Sequence, residues 1–223
     1  MKPEQRAALD RLQRAIETAT LNLMSRAERE RVGLHVDEAG SLAARVGPEV
    51  RRVVDVGSGG GLPALPMAIL LEQTRWSLVE SVGRKARFLA ETAATLDLSG
   101  RVDVHCVRSE EAARGPLRAA ADLAIARALA APVVALELLA PFVRVGGEAW
   151  YLSTATAAAG AGGDSANGAL ARACEELGMG PPRLEPHATE LRGDGVIIRA
   201  RRERPVPERF PRRVGLARAH PLA

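Results

Sequence analysis

The chain has 223 residues, 47% of them hydrophobic, which suffices for a sizeable core and suggests one domain with an N-terminal extension. A formal net charge of +4 suits a polyanionic partner. No secretory signal, apolar run of transmembrane length or lipidation motif is present, so a cytoplasmic protein without membrane contact is expected. Cys106 and Cys174 read as buried, reduced thiols, and no His/Cys cluster has metal-ligand spacing, so no metal is expected.

Residues 4–24 place Leu9, Leu12, Ile16, Ala19 and Leu23 at the spacing of one helix face, with Arg6, Arg11, Arg14 and Glu17 opposite. Such a helix docks on a core and leaves a solvated outer face; direct nucleic-acid contact is the alternative. Gly40 and Gly47-Pro48 mark breaks in residues 25–50, where a short helix is expected over Glu38–Val46 and His35 reads as structural or surface. From Val53 onward strand and helix patterns alternate, which predicts a parallel sheet with right-handed crossovers. The expected strands are Val53–Val56, Trp76–Glu80, Val102–Val107, Asp122–Ala126 and Glu148–Leu152. The expected helices are Leu65–Glu72, Arg84–Leu96, a short one near Ser109–Arg114, and Pro132–Phe142. Gly146-Gly147 reads as the turn into the fifth strand, and residues 154–168, almost wholly Ala, Gly, Ser and Thr, as a mobile loop. A helix over Ala169–Leu177 follows, then an antiparallel hairpin of Arg183–Leu191 and Val196–Arg201 around Gly193-Asp194-Gly195. The expected organisation is a helical extension over 1–50, an α/β domain over 51–202 and a basic arm over 203–223.

The most informative stretch is Val53-Val54-Asp55-Val56-Gly57-Ser58-Gly59-Gly60-Gly61-Leu62-Pro63. An apolar strand runs into glycines that permit φ > 0 and close approach to a ligand, and a helix opens behind them with Pro63 and Pro66 in its first turn. A Walker loop would need Gly-Lys-Ser/Thr, which Gly61-Leu62-Pro63 lacks. A dinucleotide fingerprint would need a third glycine where Leu62 stands. The run Asp55 to Gly61 instead resembles the first motif of S-adenosylmethionine-dependent methyltransferases. Glu80 ends the second strand 23 residues after Gly57, the place of an acidic residue that accepts bonds from ribose hydroxyls.

Two later stretches fall beyond the carboxyl ends of strands, where open α/β sheets bind ligands: Arg108-Ser109-Glu110-Glu111 after the third, and Arg127 ending the fourth. An arginine on an apolar strand should meet a carboxylate, either Glu110 or a cofactor's own; a structural ion pair is the plainer reading. Between Arg199 and Arg218 eight arginines stand against two glutamates, giving +6, with Pro205, Pro207 and Pro211 between them. That composition suits an extended arm on phosphates, or a solvated terminus.

The residues then support a resemblance. Val54-Asp55-Val56-Gly57-Ser58-Gly59-Gly60-Gly61-Leu62-Pro63-Ala64-Leu65-Pro66 is similar to the cofactor loop of the bacterial 16S ribosomal RNA guanine-N7 methyltransferase family, also called glucose-inhibited division protein B. So are the run from Val79 through Ser81, Gly83, Arg84 and Lys85 to Leu89, then Arg108-Ser109-Glu110-Glu111, Ala126-Arg127-Ala128 and the tail Arg209-Phe210-Pro211-Arg212-Arg213-Val214-Gly215. The resemblance covers about residues 20–152 and 203–222. It implies a class I, Rossmann-like methyltransferase sheet, mostly parallel with a C-terminal antiparallel hairpin and a helical N-terminal extension. It further implies S-adenosylmethionine as cofactor, with Gly57, Leu62, Ser109, Glu110 and Arg127 lining its site; the loop and strand-end reading above adds Gly59, Gly61 and Glu80 as cofactor-binding residues. The partner expected of a monomer is 16S ribosomal RNA or the small ribosomal subunit, contacted through Arg209, Arg212 and Arg213. Three features depart from the family: Leu152 is followed by Ser153-Thr154 instead of Lys-Gly, the family's His-x-x-Asp-Ser-Leu is stretched into His35 through Leu42, and the 154–168 loop is longer and blander than expected.

The chemistry agrees. Arg127-Ala128-Leu129-Ala130-Ala131-Pro132 contains no Asn/Asp-Pro-Pro-aromatic segment for exocyclic amines, and neither cysteine lies there as a nucleophile for carbon-5 methylation. Guanine N7 already presents a lone pair, so its methylation needs alignment and no general base. A catalytic residue in the strict sense is therefore unknown. A methyltransferase of small molecules or proteins, and a non-catalytic RNA-binding relative, are the alternatives.

Overall fold

The computed structural model describes residues 1–159 and 164–222, which form two compact units, Met1–Val107 and Arg108–Ala223. The first unit opens with helices α1 (Pro3–Thr18), α2 (Arg26–Arg29) and α3 (Val32–Ala43). It continues as β1 (Arg52–Val56), α4 (Ala64–Leu70), β2 (Arg75–Val79), α5 (Gly83–Thr95) and β3 (Val102–His105). β2 lies between β1 and β3, and both pairings are parallel. Each strand is followed by a turn and a helix that carries the chain back, the pattern the alternating sequence predicts.

α1 forms because Leu9, Leu12 and Ile16 recur on one face and are buried. Gln5 fixes its start: the side-chain oxygen accepts the Lys2 N–H at 2.9 Å, while the amide donates to the Ile69 and Leu70 carbonyls that end α4. The helix stops at Thr18, short of the expected residue 24. There the Arg29 guanidinium takes the carbonyls of Ala19 and Leu21 at 2.7 and 2.9 Å, giving a turn its acceptors would otherwise lack. Leu23 is still buried, from the turn and not from a helix face. α3 starts six residues before the expected helix and runs through Gly40, which is not a break. His35 is buried within it.

The second unit comprises α6 (Ser109–Ala112), β4 (Ala121–Arg127), α7 (Pro132–Leu139) and a 3-10 turn (Ala140–Phe142). There follow β5 (Val143–Thr154), α8 (Ala155–Ala159), α9 (Asp164–Glu176), β6 (Arg183–Pro186), β7 (Gly195–Arg201) and α10 (Leu216–Ala219). β4 and β5 are parallel, β7 runs antiparallel to β5, and β6 runs antiparallel to β7, so the expected terminal hairpin is present. β5 begins at Val143, five residues early, because Gly146-Gly147 makes an irregularity inside the strand instead of a turn before it. Gly147 is required there: a Cβ would stand 2.6 Å from the Asp122 carbonyl.

The stretch 154–168, expected as a mobile loop, is helical over Ala155–Ala159 and again from Asp164; residues 160–163 lie outside the described residues. Alanine is the strongest helix former, so a run without bulky side chains is still helical. The Thr154 hydroxyl accepts the Ala157 N–H at 3.1 Å and caps α8, which explains what stands in place of Lys-Gly after β5. Cys174 is buried in α9, where burial pushes its thiol up to about 12, whereas Cys106 is exposed and not the buried thiol expected of it. No described helix is long and apolar enough to cross a membrane.

Candidate cofactor and RNA sites

Register explains how the first unit brings the glycine loop and Glu80 together. Val56 of β1 pairs with Val79 of β2, so Gly57 and Glu80 leave the sheet side by side. The Gly57 and Ser58 amides both donate to the Val79 carbonyl, at 2.8 and 3.2 Å, and Gly61 N–H donates to Ser58 O at 2.8 Å. Gly57, Gly59 and Gly61 have φ of +73°, +54° and +87°, which β-carbon-bearing residues adopt only at a cost. Gly61 is doubly constrained, because a Cβ there would lie 2.5 Å from Leu65 Cδ1. Leu62 is buried behind the turn, Pro63 caps α4 and Pro66 lies in its first turn.

Glu80 is buried, and its carboxylate holds the loop. Oε2 accepts the Gly59 N–H at 2.9 Å and Oε1 the Val82 N–H at 2.7 Å. A carboxylate offers about four lone-pair directions, so the same group can also accept from two vicinal hydroxyls. A Cβ on Gly59 would meet nothing closer than the Gly57 carbonyl at 3.8 Å, leaving room above the loop. These residues fit a ribosyl cofactor: a carboxylate for hydroxyls beside a backbone that a ligand can approach.

One contact was not legible in the sequence. A Cβ on Gly60 would stand 3.3 Å from both Leu23 Cβ and Met24 Cε, so the turn after α1 packs directly on the glycine loop. The signal was available in four glycine positions out of five, one more than the torsions use, but its partner lies 36 residues upstream.

In the second unit, Ser109 and Glu110 open α6. The Ser109 hydroxyl donates to Glu110 Oε2 at 3.0 Å, and the Gly215 N–H of the tail donates to Glu110 Oε1 at 3.0 Å. Arg127 ends β4, half-buried and in register with Leu152 of β5. Ala128 follows it at φ +50°, a left-handed torsion that a non-glycine residue holds only where its surroundings enforce it. Tyr151 is one such support: its hydroxyl donates to the Ala130 carbonyl at 2.5 Å, and burial raises its pKa.

The arginines counted in the tail are not equivalent. Arg199 lies 4.6 Å over the Trp150 ring and pairs with Glu148 at 2.7 Å and Glu185 at 2.8 Å. Arg202 is buried and donates to the Arg204 and Val143 carbonyls. Arg212 pairs bidentately with Glu137, whose side chain is 1% exposed, at 2.7 and 2.5 Å; that bond is the main cause raising its pKa. Arg209 is exposed and reaches Glu176 at 2.8 Å, and Arg213 is exposed. Phe210 between them is 1% exposed, so the tail is packed on its unit and not extended.

Comparison with known proteins shows the family and the fold. A family model described as GidB, rRNA small subunit methyltransferase G, matches residues 6–166. The ribosomal RNA small subunit methyltransferase G of Rubrobacter xylanophilus is 42% identical over 176 residues, 77% of this chain and 65% of that protein. The Roseiflexus castenholzii protein of the same name is 35% identical over 196 residues, 87% of this chain and 81% of its own. The match thus spans about two thirds of the Rubrobacter relative's length, and more of the other. Among solved structures, the T. thermophilus 16S rRNA N2 G1207 methyltransferase in complex with AdoMet and guanosine aligns with a TM-score of 0.52. Its identity is 16%, over 77% of this chain and 40% of that one. The mitomycin 7-O-methyltransferase MmcR aligns at 0.59, with 16% identity over 90% and 69% of the two chains. At these identities the structural likeness shows the fold, that of the class I methyltransferases.

Proposed function

The chain belongs to the GidB family, rRNA small subunit methyltransferase G, and on that premise we propose that it methylates N7 of a guanosine in 16S ribosomal RNA, with S-adenosylmethionine as donor. The observation that carries the reading is the Glu80 carboxylate held at both oxygens beside a glycine loop with open space above Gly59. When bound, the cofactor supplies an electrophilic methyl group on a sulfonium.

In this reading the protein's work is binding and alignment. Glu80 accepts from the ribose hydroxyls. Gly57, Gly59, Gly61 and Leu62 shape the backbone against the cofactor, and Ser109, Glu110 and Arg127 complete its site. Arg127 offers a guanidinium fork to a carboxylate. N7 needs no proton removed, so the segment Arg127 to Pro132, with neither acid nor base beyond the arginine itself, suits it. Arg209 and Arg213, with Arg212 beside them, present positive charge to RNA phosphates from the tail.

The test is transfer from labelled S-adenosylmethionine to unmodified small subunits and to naked 16S RNA, with mass mapping of the product. N7-methylguanosine at a single site is expected. Cofactor binding without transfer to either substrate overturns the RNA assignment in favour of a small-molecule or protein substrate. RNA binding without cofactor binding points to a non-catalytic relative.

A further inference from the structure

We infer that the C-terminal tail is a positioning strap for Glu110: the Gly215 amide orients that carboxylate, and cofactor affinity depends on it. This rests on the reading above that Glu110 belongs to the cofactor site.

Glu110 is 8% exposed, and both its oxygens are engaged. Oε2 takes its neighbour's hydroxyl, a bond local to α6, while Oε1 takes the N–H of Gly215, 105 residues away. Gly215 has φ +81°, yet a Cβ there would meet nothing within 4 Å. Space therefore does not demand glycine at 215; the torsion does, and it aims the N–H at Glu110 as α10 begins.

The strap is anchored on both sides of that glycine. Before it, Arg114 donates to the Pro211 carbonyl and Arg118 to the Phe210 carbonyl, each at 2.6 Å. Both arginines come from the segment that follows α6, so the element carrying Glu110 also grips the tail. Arg212 closes onto buried Glu137 and onto the His220 carbonyl at 2.7 Å. After it, Arg218 donates to the Leu129 carbonyl at 2.7 Å, two residues beyond Arg127, and Ala217 packs with Val134 and Leu138. A purely RNA-gripping arm explains Arg209 and Arg213. It does not explain a half-buried Arg212 paired with buried Glu137, a left-handed Gly215 or a backbone N–H spent on the Glu110 carboxylate.

The experiment compares four full-fold proteins: the wild type, a chain shortened after Arg213, Glu110→Ala, and both changes together. Shortening after Arg213 removes Gly215, α10 and Arg218 but keeps Phe210, the Arg212–Glu137 pair and the exposed Arg209 and Arg213. Calorimetry with S-adenosylmethionine is read beside thermal unfolding. Shortening is expected to weaken binding about tenfold, the scale of one hydrogen bond to a charged group. It should weaken binding no further in the Glu110→Ala background. Unchanged affinity overturns the inference, and so does an equal loss in both backgrounds, which marks a general structural effect. If the shortened chain does not fold, Gly215→Val, which has room for its side chain but cannot readily hold the φ of +81° that aims the N–H, is read in the full chain against Glu110→Ala in the same way. A folded wild type without cofactor affinity overturns the methyltransferase reading itself, an outcome distinct from all of these.

Discussion

Two carboxylates, one in each unit, are prepared in the same manner by very different lengths of chain. Glu80 receives the Gly59 and Val82 amides, 21 and 2 residues away, within one strand–turn–helix crossover. Glu110 receives its neighbour Ser109 and then Gly215, at a separation of 105 residues. The first arrangement forms as soon as β1 and β2 pair in register. The second needs the tail to return after α9, β6 and β7 are in place. The glycine loop is therefore locally encoded, and the Glu110–Gly215 hydrogen bond is made only when the fold is complete.

The contrast is broken most sharply at Gly57. Gly57→Asp puts a side chain on a residue at φ +73° and a negative charge beside Glu80, so cofactor binding should disappear from calorimetry while RNA binding persists. Normal cofactor affinity in that variant would refute the loop assignment. In the second unit the largest effect is on stability. Arg212→Met leaves Glu137 charged and buried, which should cost about 3–5 kcal/mol by denaturant unfolding. Arg212→Met combined with Glu137→Leu should recover most of that loss, and no recovery would mean the pair is not the anchor.

Smaller effects sharpen the comparison. Glu80→Gln turns one acceptor into a donor facing a backbone N–H, so cofactor affinity should fall about tenfold with little change in RNA binding. Arg209→Ala with Arg213→Ala should lower the slope of log affinity against log salt by about 2, at unchanged cofactor affinity. An unaltered slope would remove those residues from the RNA surface. The smallest effect separates the cysteines. Cys174 keeps its proton in the folded state up to about 12, against an ordinary 9.0. Its contribution is fully present below pH 9 and is lost as pH rises from about 9 towards 12. Cys174→Ala should flatten that alkaline decline in thermal unfolding, whereas Cys106→Ala, at an exposed site, should leave it as it is.

Legibility in the sequence followed the same division. The strands, the loop glycines, Glu80 and the terminal hairpin were legible because each is fixed by neighbours within a few tens of residues. The reading failed where long-range packing decides. Leu23 looked like a helix position, yet the chain turns at Thr18 around Arg29. Gly146-Gly147 looked like a turn and is an irregularity inside β5, set by the approach of Asp122. The alanine-rich stretch after Thr154 looked like a loop because it has no core-forming side chains, but alanine loses little entropy in a helix. Arg212 looked like its exposed neighbours, since nothing nearby in sequence announces Glu137.

By itself, then, the sequence determined the class of fold and the glycine loop with its acidic partner, because register and backbone torsion are consequences of local residue type. Only the tertiary structure decided which arginines of the tail are spent inside the protein and which face outward, and that Glu110 waits on Gly215. Burial and pairing are properties of the packed whole, and an arginine has the same side chain in either place.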